Sequence, residues 1–379
     1  MTPLVLLFAL TFLVSVDVRI LTAVLPSISA SLASTPGAVG LAMTSYTFAY
    51  GTGQLVYGPI SDRLGRIAVV RAAGLGFSLC TVVSALALTA PQFIAARFVA
   101  GAFAGAVLPL TLVFIGDTVE YGRRQVVIGR FAVVTSAALA FSASVGGLVA
   151  HFVSWRVMLI GYGLLALIPV GLMWRLEASR PAETTDTPGR YRDFLGNRRA
   201  QCVYAGVFLE GVLLWGAATY LGAFGATRHG FDQFTVGLLI ALFGFGIMIG
   251  GVLMGNIRRR LSENALAALG GVLMGVALLL LVPRWSWVAF AVSMPLLGLG
   301  CVGLHSTLQL RGTEIGGPAD RGKAFSLFAF NLFAGIAAGT AVLGRLVDAG
   351  SYEAIFVVAG TGLVGIGIVT SLSPPRPVG

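Results

Sequence analysis

Charge is scarce in this sequence. Only 11% of its 379 residues are Asp, Glu, Lys or Arg, where a soluble chain carries about 25%. Lysine is nearly absent, with Lys323 alone, so Arg supplies the positive charge. Cysteine is scarce too. Cys80, Cys202 and Cys301 lie far apart within apolar stretches, which excludes a disulfide framework or a thiolate metal cluster and leaves them as small hydrophobes. There is no zinc spacing, no phosphate-cradling loop and no nucleophile paired with a base. No enzyme chemistry, metal or cofactor is therefore expected. No nucleotide-binding segment is present either, so work done by this chain must draw on an ion gradient or a solute gradient.

What is abundant is apolar residues, at 57%, and glycine, at 51 residues. Runs of about twenty apolar residues recur from end to end, each long enough to cross a hydrocarbon core of about 30 Å. A soluble domain hides one or two such helices, not a dozen. The expected fold class is an all-α membrane protein of twelve transmembrane helices, at about 4–30, 38–57, 66–89, 92–117, 126–150, 155–175, 201–225, 234–255, 262–282, 286–310, 323–346 and 352–372. The first span holds Asp17, Arg19 and Pro26 and lacks a small-residue cleavage site, so it reads as a retained helix and not as a signal peptide.

The net charge of +10 invites a nucleic-acid partner, but the bases fall in short clusters between apolar runs and not along one face. Their placement sets orientation instead. With a cytoplasmic N-terminus, nineteen Arg and Lys residues fall on inner loops and edges against four outside, Arg156, Arg228, Arg284 and Arg345. That is a strong positive-inside bias, and it places both termini in the cytoplasm. The one long polar stretch, about 176–200, divides the chain into a six-helix bundle at 1–175, a linker, and a second six-helix bundle at 201–379. The halves echo each other. Gly51-Thr-Gly-Gln running to Gly58 and a charged turn resembles Gly244-Phe-Gly running to Gly250-Gly251 and Arg258-Arg259-Arg260. A six-plus-six repeat suits a rocking, two-domain carrier.

Few charges are embedded in the spans, and embedded charge is costly enough to mark function. Asp17 and Arg97 fall at similar depth in the outer half and would offset each other's burial as a pair. The pair reads either as a proton- or substrate-linked site or as a structural lock. Arg19, two residues from Asp17, faces roughly the opposite side of its helix, and in a cavity it would favour an anionic solute. Glu210, near mid-membrane, reads either as a proton carrier or as a neutral hydrogen-bonding group. His305 and Gln309 share a helix face and read as a proton carrier with a neighbour or as packing near the inner gate. Tyr46, Tyr50, Trp215 and Tyr220 are candidate cavity aromatics. Glycines four apart, Gly101 with Gly105 and Gly335 with Gly339, allow close helix approach.

These residues resemble the Major Facilitator Superfamily over nearly the whole chain. Gly58-Pro59-Ile60-Ser61-Asp62-Arg63-Leu64-Gly65-Arg66 is similar to the family's signature loop between its second and third helices. Arg97 with Gly101 and Gly105 resembles its fourth-helix motif, and Asp17 upstream of Leu25-Pro26 resembles the first helix of twelve-helix drug/proton antiporters and arabinose-efflux-like permeases. The resemblance implies a gating network of Gly58, Asp62, Arg63, Arg66, Asp117 and Glu120. In it Gly58 lets two helices approach, Asp62 meets the N-terminus of the eleventh helix, and Arg63 and Arg66 pair with the two acids. The fifth helix departs from the antiporter pattern. Gly146-Gly147 is present and Trp155-Arg156 follows, but Ser142-Ala143 stands where Gly-Pro is usual.

The expectation is a monomeric inner-membrane transporter, working by alternating access between protons, lipid and a small-molecule substrate. The leading reading is multidrug-like efflux of partly apolar compounds in exchange for protons. The alternative is a symporter or uniporter for a defined metabolite such as an organic anion or a sugar-like solute. Cavity lining separates the two: aromatics, Met and an acid suit drug efflux, and paired cations suit an anion carrier. A transport-dead sensor and a channel are the remaining readings.

Overall fold

A computed structural model of the chain describes residues 3–176, 194, 196–283, 287–315 and 321–372. The linker expected at 176–200 falls largely on 177–193 and 195, outside the described residues. The described residues form helices α1 (Pro3–Ile20), α2 (Leu25–Ser31), α3 (Pro36–Leu64), α4 (Arg66–Ala85), α5 (Ala90–Ala104), α6 (Val107–Thr118), α7 (Tyr121–Phe152) and α8 (Trp155–Met173). After the linker come α9 (Arg198–Glu210), a π-helical segment (Gly211–Trp215), α10 (Gly216–Ala218), α11 (Leu221–His229), α12 (Gln233–Ile257), α13 (Glu263–Leu279), α14 (Trp287–Thr313), α15 (Arg321–Asp348) and α16 (Tyr352–Leu372).

These elements make twelve passes, because α1 and α2, α5 and α6, and the run from α9 to α11 each form one broken crossing. Among the described residues, nine passes are long and apolar enough to span a bilayer by length and composition. The even number returns the end of α16 at Leu372 to the face where α1 begins. We call this the near face and its opposite the far face.

Local chemistry explains the helix ends. Thr35, Thr89, Ser154, Asp232 and Ser262 each accept a hydrogen bond from a first-turn N–H of α3, α5, α8, α12 and α13. Pro36 and Pro91 follow the first two of these caps, where proline's missing donor costs nothing. The one-residue joint between α3 and α4 is Gly65 at φ 86°, a left-handed conformation that a side chain resists. The second pass was expected to end at about residue 57, but α3 continues to Leu64 through Pro59. Neighbouring helices satisfy the backbone around a proline in a membrane pass. Asp62 and Arg63 are therefore in the last turn of a helix and not in a loop.

Among the first six passes, α3 packs on α5, α4 on α8 and α1 on α7; among the last six, α13 packs on α14 and α16, and α12 on α14. The two sets meet where α3 lies along α15 and α7 along α12. Glycine sets the closest approach. A Cβ on Gly101 or Gly105 would stand 2.3 or 2.4 Å from the carbonyl oxygens of Tyr46 or Tyr50. One on Gly146 would meet the Ile20 carbonyl at 2.6 Å, and one on Gly147 the Gln233 carbonyl at 2.3 Å. Gly58, expected to allow such an approach, has open space around it.

Candidate functional site

The deep charges form two separate pairs, one in each set of six passes. Arg97 on α5 donates to both Asp17 oxygens, Nη2 to Oδ2 at 2.5 Å and Nη1 to Oδ1 at 3.3 Å. Both residues are 1% exposed. The fork geometry of a guanidinium on a carboxylate is a strong charge-assisted contact. The Arg97 guanidinium also lies 4.3 Å from the centre of the Tyr46 ring. Beside Asp17, the Ser142 hydroxyl donates to the Val16 carbonyl at 2.6 Å. The serine that replaces the usual Gly-Pro thus ties the fifth pass to the first.

Glu210, the last residue of α9, is fully buried. Its two oxygens lie 3.1 and 3.2 Å from His305 Nδ1 on α14. Directly after Glu210 the helix widens into the π-helical segment Gly211–Trp215. Such bulges are uncommon and cluster at functional sites. Gln309 makes no polar contact among the described residues, although it shares a helix face with His305.

Arg19 belongs to neither pair. It crosses from the first pass to the seventh, where its guanidinium lies 4.2 Å from the centre of the Trp215 ring. Its Nη1 donates to the Trp215 carbonyl at 3.4 Å. Arg19 and Trp215 line a small cavity of about 20 Å³ with Thr22, Leu221, Phe243 and Leu297. The cavity draws on both sets of six passes. Sequence reading identified Arg19 and Trp215 but missed Thr22 and Phe243, which look like ordinary span residues. The π-helical segment also left no trace in the pattern.

Other aromatics have other roles. Tyr46 supports Arg97. Tyr50 packs against Phe333 with ring centres 4.5 Å apart, joining the second pass to the eleventh. Tyr220 lines none of the described cavities. Its hydroxyl donates to the Thr340 carbonyl at 2.7 Å, and it is wedged where a Cβ on Gly40 or Gly344 would strike it.

Contacts across the two sets run from the far face to mid-depth. At the far face the Gly37 N–H donates to the Asp348 carboxylate at 2.8 Å. The Gln233 side chain reaches the Ser27 hydroxyl, and Gly222 sits against the Thr22 carbonyl. Deeper come Tyr50 with Phe333 and Phe141 with Phe245. Among the described residues, these contacts hold the two sets together at the far face. At the near face, Arg66 pairs with Asp117 at 3.2 Å and with Asp62, and it donates to the Ser61 hydroxyl. All four residues belong to the first six passes. Asp62 was expected to meet the N-terminus of the eleventh pass; among the described residues its partner is Arg66. Arg63 is exposed and Glu120 serves through its backbone carbonyl, so neither forms an ion pair among the described residues. The second set has a tie of its own that the sequence left as loop charge. Arg311, 6% exposed, donates to Glu263 at 2.6 Å, Asn264 at 2.8 Å and the Thr370 carbonyl at 2.8 Å, joining α13, α14 and α16.

Comparison with known proteins places this geometry in a wider frame. A model of the Major Facilitator Superfamily matches residues 7–339. The chain is 23% identical over 345 residues to the uncharacterized MFS-type transporter YceJ of Bacillus subtilis (strain 168), covering 90% of this chain and 88% of that protein. It is 30% identical over 190 residues to the puromycin resistance protein pur8 of Streptomyces alboniger, covering 49% of this chain and 38% of that protein. The chain therefore spans less than half the length of that relative. Among solved structures, the nucleoside transporter NupG superposes with a TM-score of 0.78 at 14% identity, covering 99% of this chain and 100% of that one. A D-xylose-proton symporter superposes at 0.80 and 15% identity, covering 97% and 95%. At such identity the likeness is one of fold.

Proposed function

We propose that this chain, which belongs to the Major Facilitator Superfamily, couples protons to the movement of one defined class of small solute. It is a multi-pass inner-membrane protein and a secondary active transporter of small solutes, not an enzyme. Beyond that, the reading is a proton-coupled symporter in which residues 1–175 rock against 201–379 around Arg19 and Trp215. In this reading the near face is cytoplasmic, which the positive-inside bias supports, and the contacts between the two sets at the far face favour an inward-facing state.

The observation that carries the proposal is the pairing of Glu210 with His305. Arg97 forks onto both Asp17 oxygens, so in this reading Asp17 serves as its counter-ion. Histidine gains and loses a proton near neutrality. The Glu210–His305 pair is therefore the one of the two that can hold an extra proton and give it up. Asp17 and Arg97 then fix the first helix, and Arg66, Asp62 and Asp117 act as gating residues that reset when the near face closes. Further support comes from what the fifth pass lacks, since Ser142-Ala143 omits the proline of the antiporter pattern.

A second reading, efflux of partly apolar compounds in exchange for protons, is favoured by the names of two relatives matched over about half of this chain. One is the puromycin resistance protein; the other is the cephamycin export protein CmcT of Amycolatopsis lactamdurans, 31% identical over 182 residues. The test is solute flux in proteoliposomes under an imposed pH gradient, against a small compound panel. Symport predicts accumulation on the side toward which protons flow, abolished by a protonophore. Accumulation on the opposite side would establish exchange, and flux indifferent to the gradient would refute proton coupling.

A further inference from the structure

We infer that Arg19, Thr22 and Trp215 form a head-group subsite for a carboxylate carried on an apolar body. The inference names the solute class for the carrier reading above and rests on it.

Three buried groups line the cavity of about 20 Å³, room for one water. Arg19 is 8% exposed, Thr22 3% and Trp215 9%. The Thr22 hydroxyl and the Trp215 indole N–H have no hydrogen-bond partner among the described residues. A guanidinium offers five N–H donors, and the contact described for Arg19 is one 3.4 Å bond to a carbonyl already shared with the Thr219 hydroxyl. The two deep acids are taken, Asp17 by Arg97 and Glu210 by His305. A buried cation with no counter-charge is strongly unfavourable, and so is a buried donor with no acceptor. A solute anion entering here would answer both.

The donor set selects the anion. One guanidinium and one indole N–H, with a hydroxyl beside them, match a single negative charge spread over two oxygens. A phosphate dianion would bring a second charge, and the cavity holds no second cation. The remaining wall is apolar, made by Leu221, Ile240, Phe243 and Leu297. Phe243 meets the Trp215 ring edge to face at 5.4 Å. The cavity as described admits only a water-sized group, so the body of the solute would lie along this apolar wall once the two sets part, and that wall rejects a sugar, whose hydroxyls would find no acceptors there. Arg19 comes from the first pass, Trp215 and Leu221 from the seventh, Ile240 and Phe243 from the eighth and Leu297 from the tenth. A bound carboxylate would therefore bridge both halves.

The test is equilibrium binding to the full chain in detergent, with no gradient, read as the rise in thermal unfolding midpoint. The probes are benzoate and hexanoate, their neutral counterparts benzamide and hexanamide, and chloride at matched ionic strength. The expected result is that each carboxylate binds about tenfold or more tightly than its amide and that chloride does not protect. Arg19→Gln removes the carboxylate preference and Arg19→Lys restores part of it. Thr22→Val, which keeps the side-chain shape, weakens the carboxylates severalfold and the amides less, because a hydrogen bond to a charged acceptor is the stronger one. If Arg19→Gln does not fold, Thr22→Val decides. Amides binding as well as carboxylates, chloride protecting as well as benzoate, or an unchanged preference in Thr22→Val would overturn the subsite. Carboxylate preference together with gradient-independent flux would uphold the subsite and refute proton coupling, so the two failures are separable.

Discussion

Replacing Asp17 with Asn tests how the buried pair of the first half is balanced. The side chains of Asp17 and Arg97 are 0% and 1% exposed, so neither charge has water to fall back on. Breaking a buried pair by removing one partner costs about 3–5 kcal/mol, because the other charge remains. In Asp17→Asn the amide oxygen still accepts one bond and the Tyr46 ring still faces the guanidinium, so the low end applies. About 3 kcal/mol is a hundredfold shift in the folding equilibrium. Asp17→Asn combined with Arg97→Gln removes both charges and leaves two amides that can hydrogen-bond each other, at the cost of two heavy atoms at Arg97. The double variant is expected to be more stable than Asp17→Asn alone, with a favourable coupling of at least about 1 kcal/mol. The assay is reversible unfolding in mixed micelles for the parent, both single variants and the double. Strictly additive losses would mean that the two groups do not balance each other, and the pair would lose its place in the account.

Gly101→Val sets a Cβ against the Tyr46 carbonyl, where 2.3 Å separates them. It should destabilise by about 1–3 kcal/mol, and a folded variant with parental melting would contradict the close packing. Asp62→Asn removes one carboxylate from the Arg66 network and should shift the balance between inward and outward states with little effect on solute affinity. Equal interspin distances across the far face in variant and parent would refute this. Asp232 caps α12, and the Thr235 N–H and hydroxyl hold its carboxyl below the usual Asp value of 3.8. The cap therefore contributes at neutral pH, and its contribution fades as pH falls through that lowered value. Asp232→Ala should cost about 1 kcal/mol near neutral pH, and the gap to the parent should close in strong acid. A gap that persists there would show that charge is not its source.

Much of this architecture is legible in the sequence because lipid imposes a blunt rule. Every backbone group must be satisfied within the pass, so the spans announce themselves by length and hydrophobicity. The pairing of Asp17 with Arg97 was legible for the same reason, since two deep opposite charges at one depth have few other ways to be neutral. What was hidden depends on contacts between distant passes. Nothing local says that Glu210 meets His305, ninety-five residues away. Thr22 is one hydroxyl among many until its lack of a partner is seen. The π-helical turn at Gly211–Trp215 leaves no periodicity of its own in five residues. Gly58 was misplaced because a motif suggests proximity without showing what lies opposite.

Glu210→Gln, measured in two transport modes, tests proton coupling most directly. The substitution keeps the side-chain volume and removes the carboxylate that faces His305 Nδ1. In proteoliposomes the variant should still exchange labelled for unlabelled solute at equal concentrations, since that needs alternating access alone. It should fail to accumulate solute under an imposed pH gradient. Gradient-driven accumulation at the parental level would contradict the assignment of the proton to this pair.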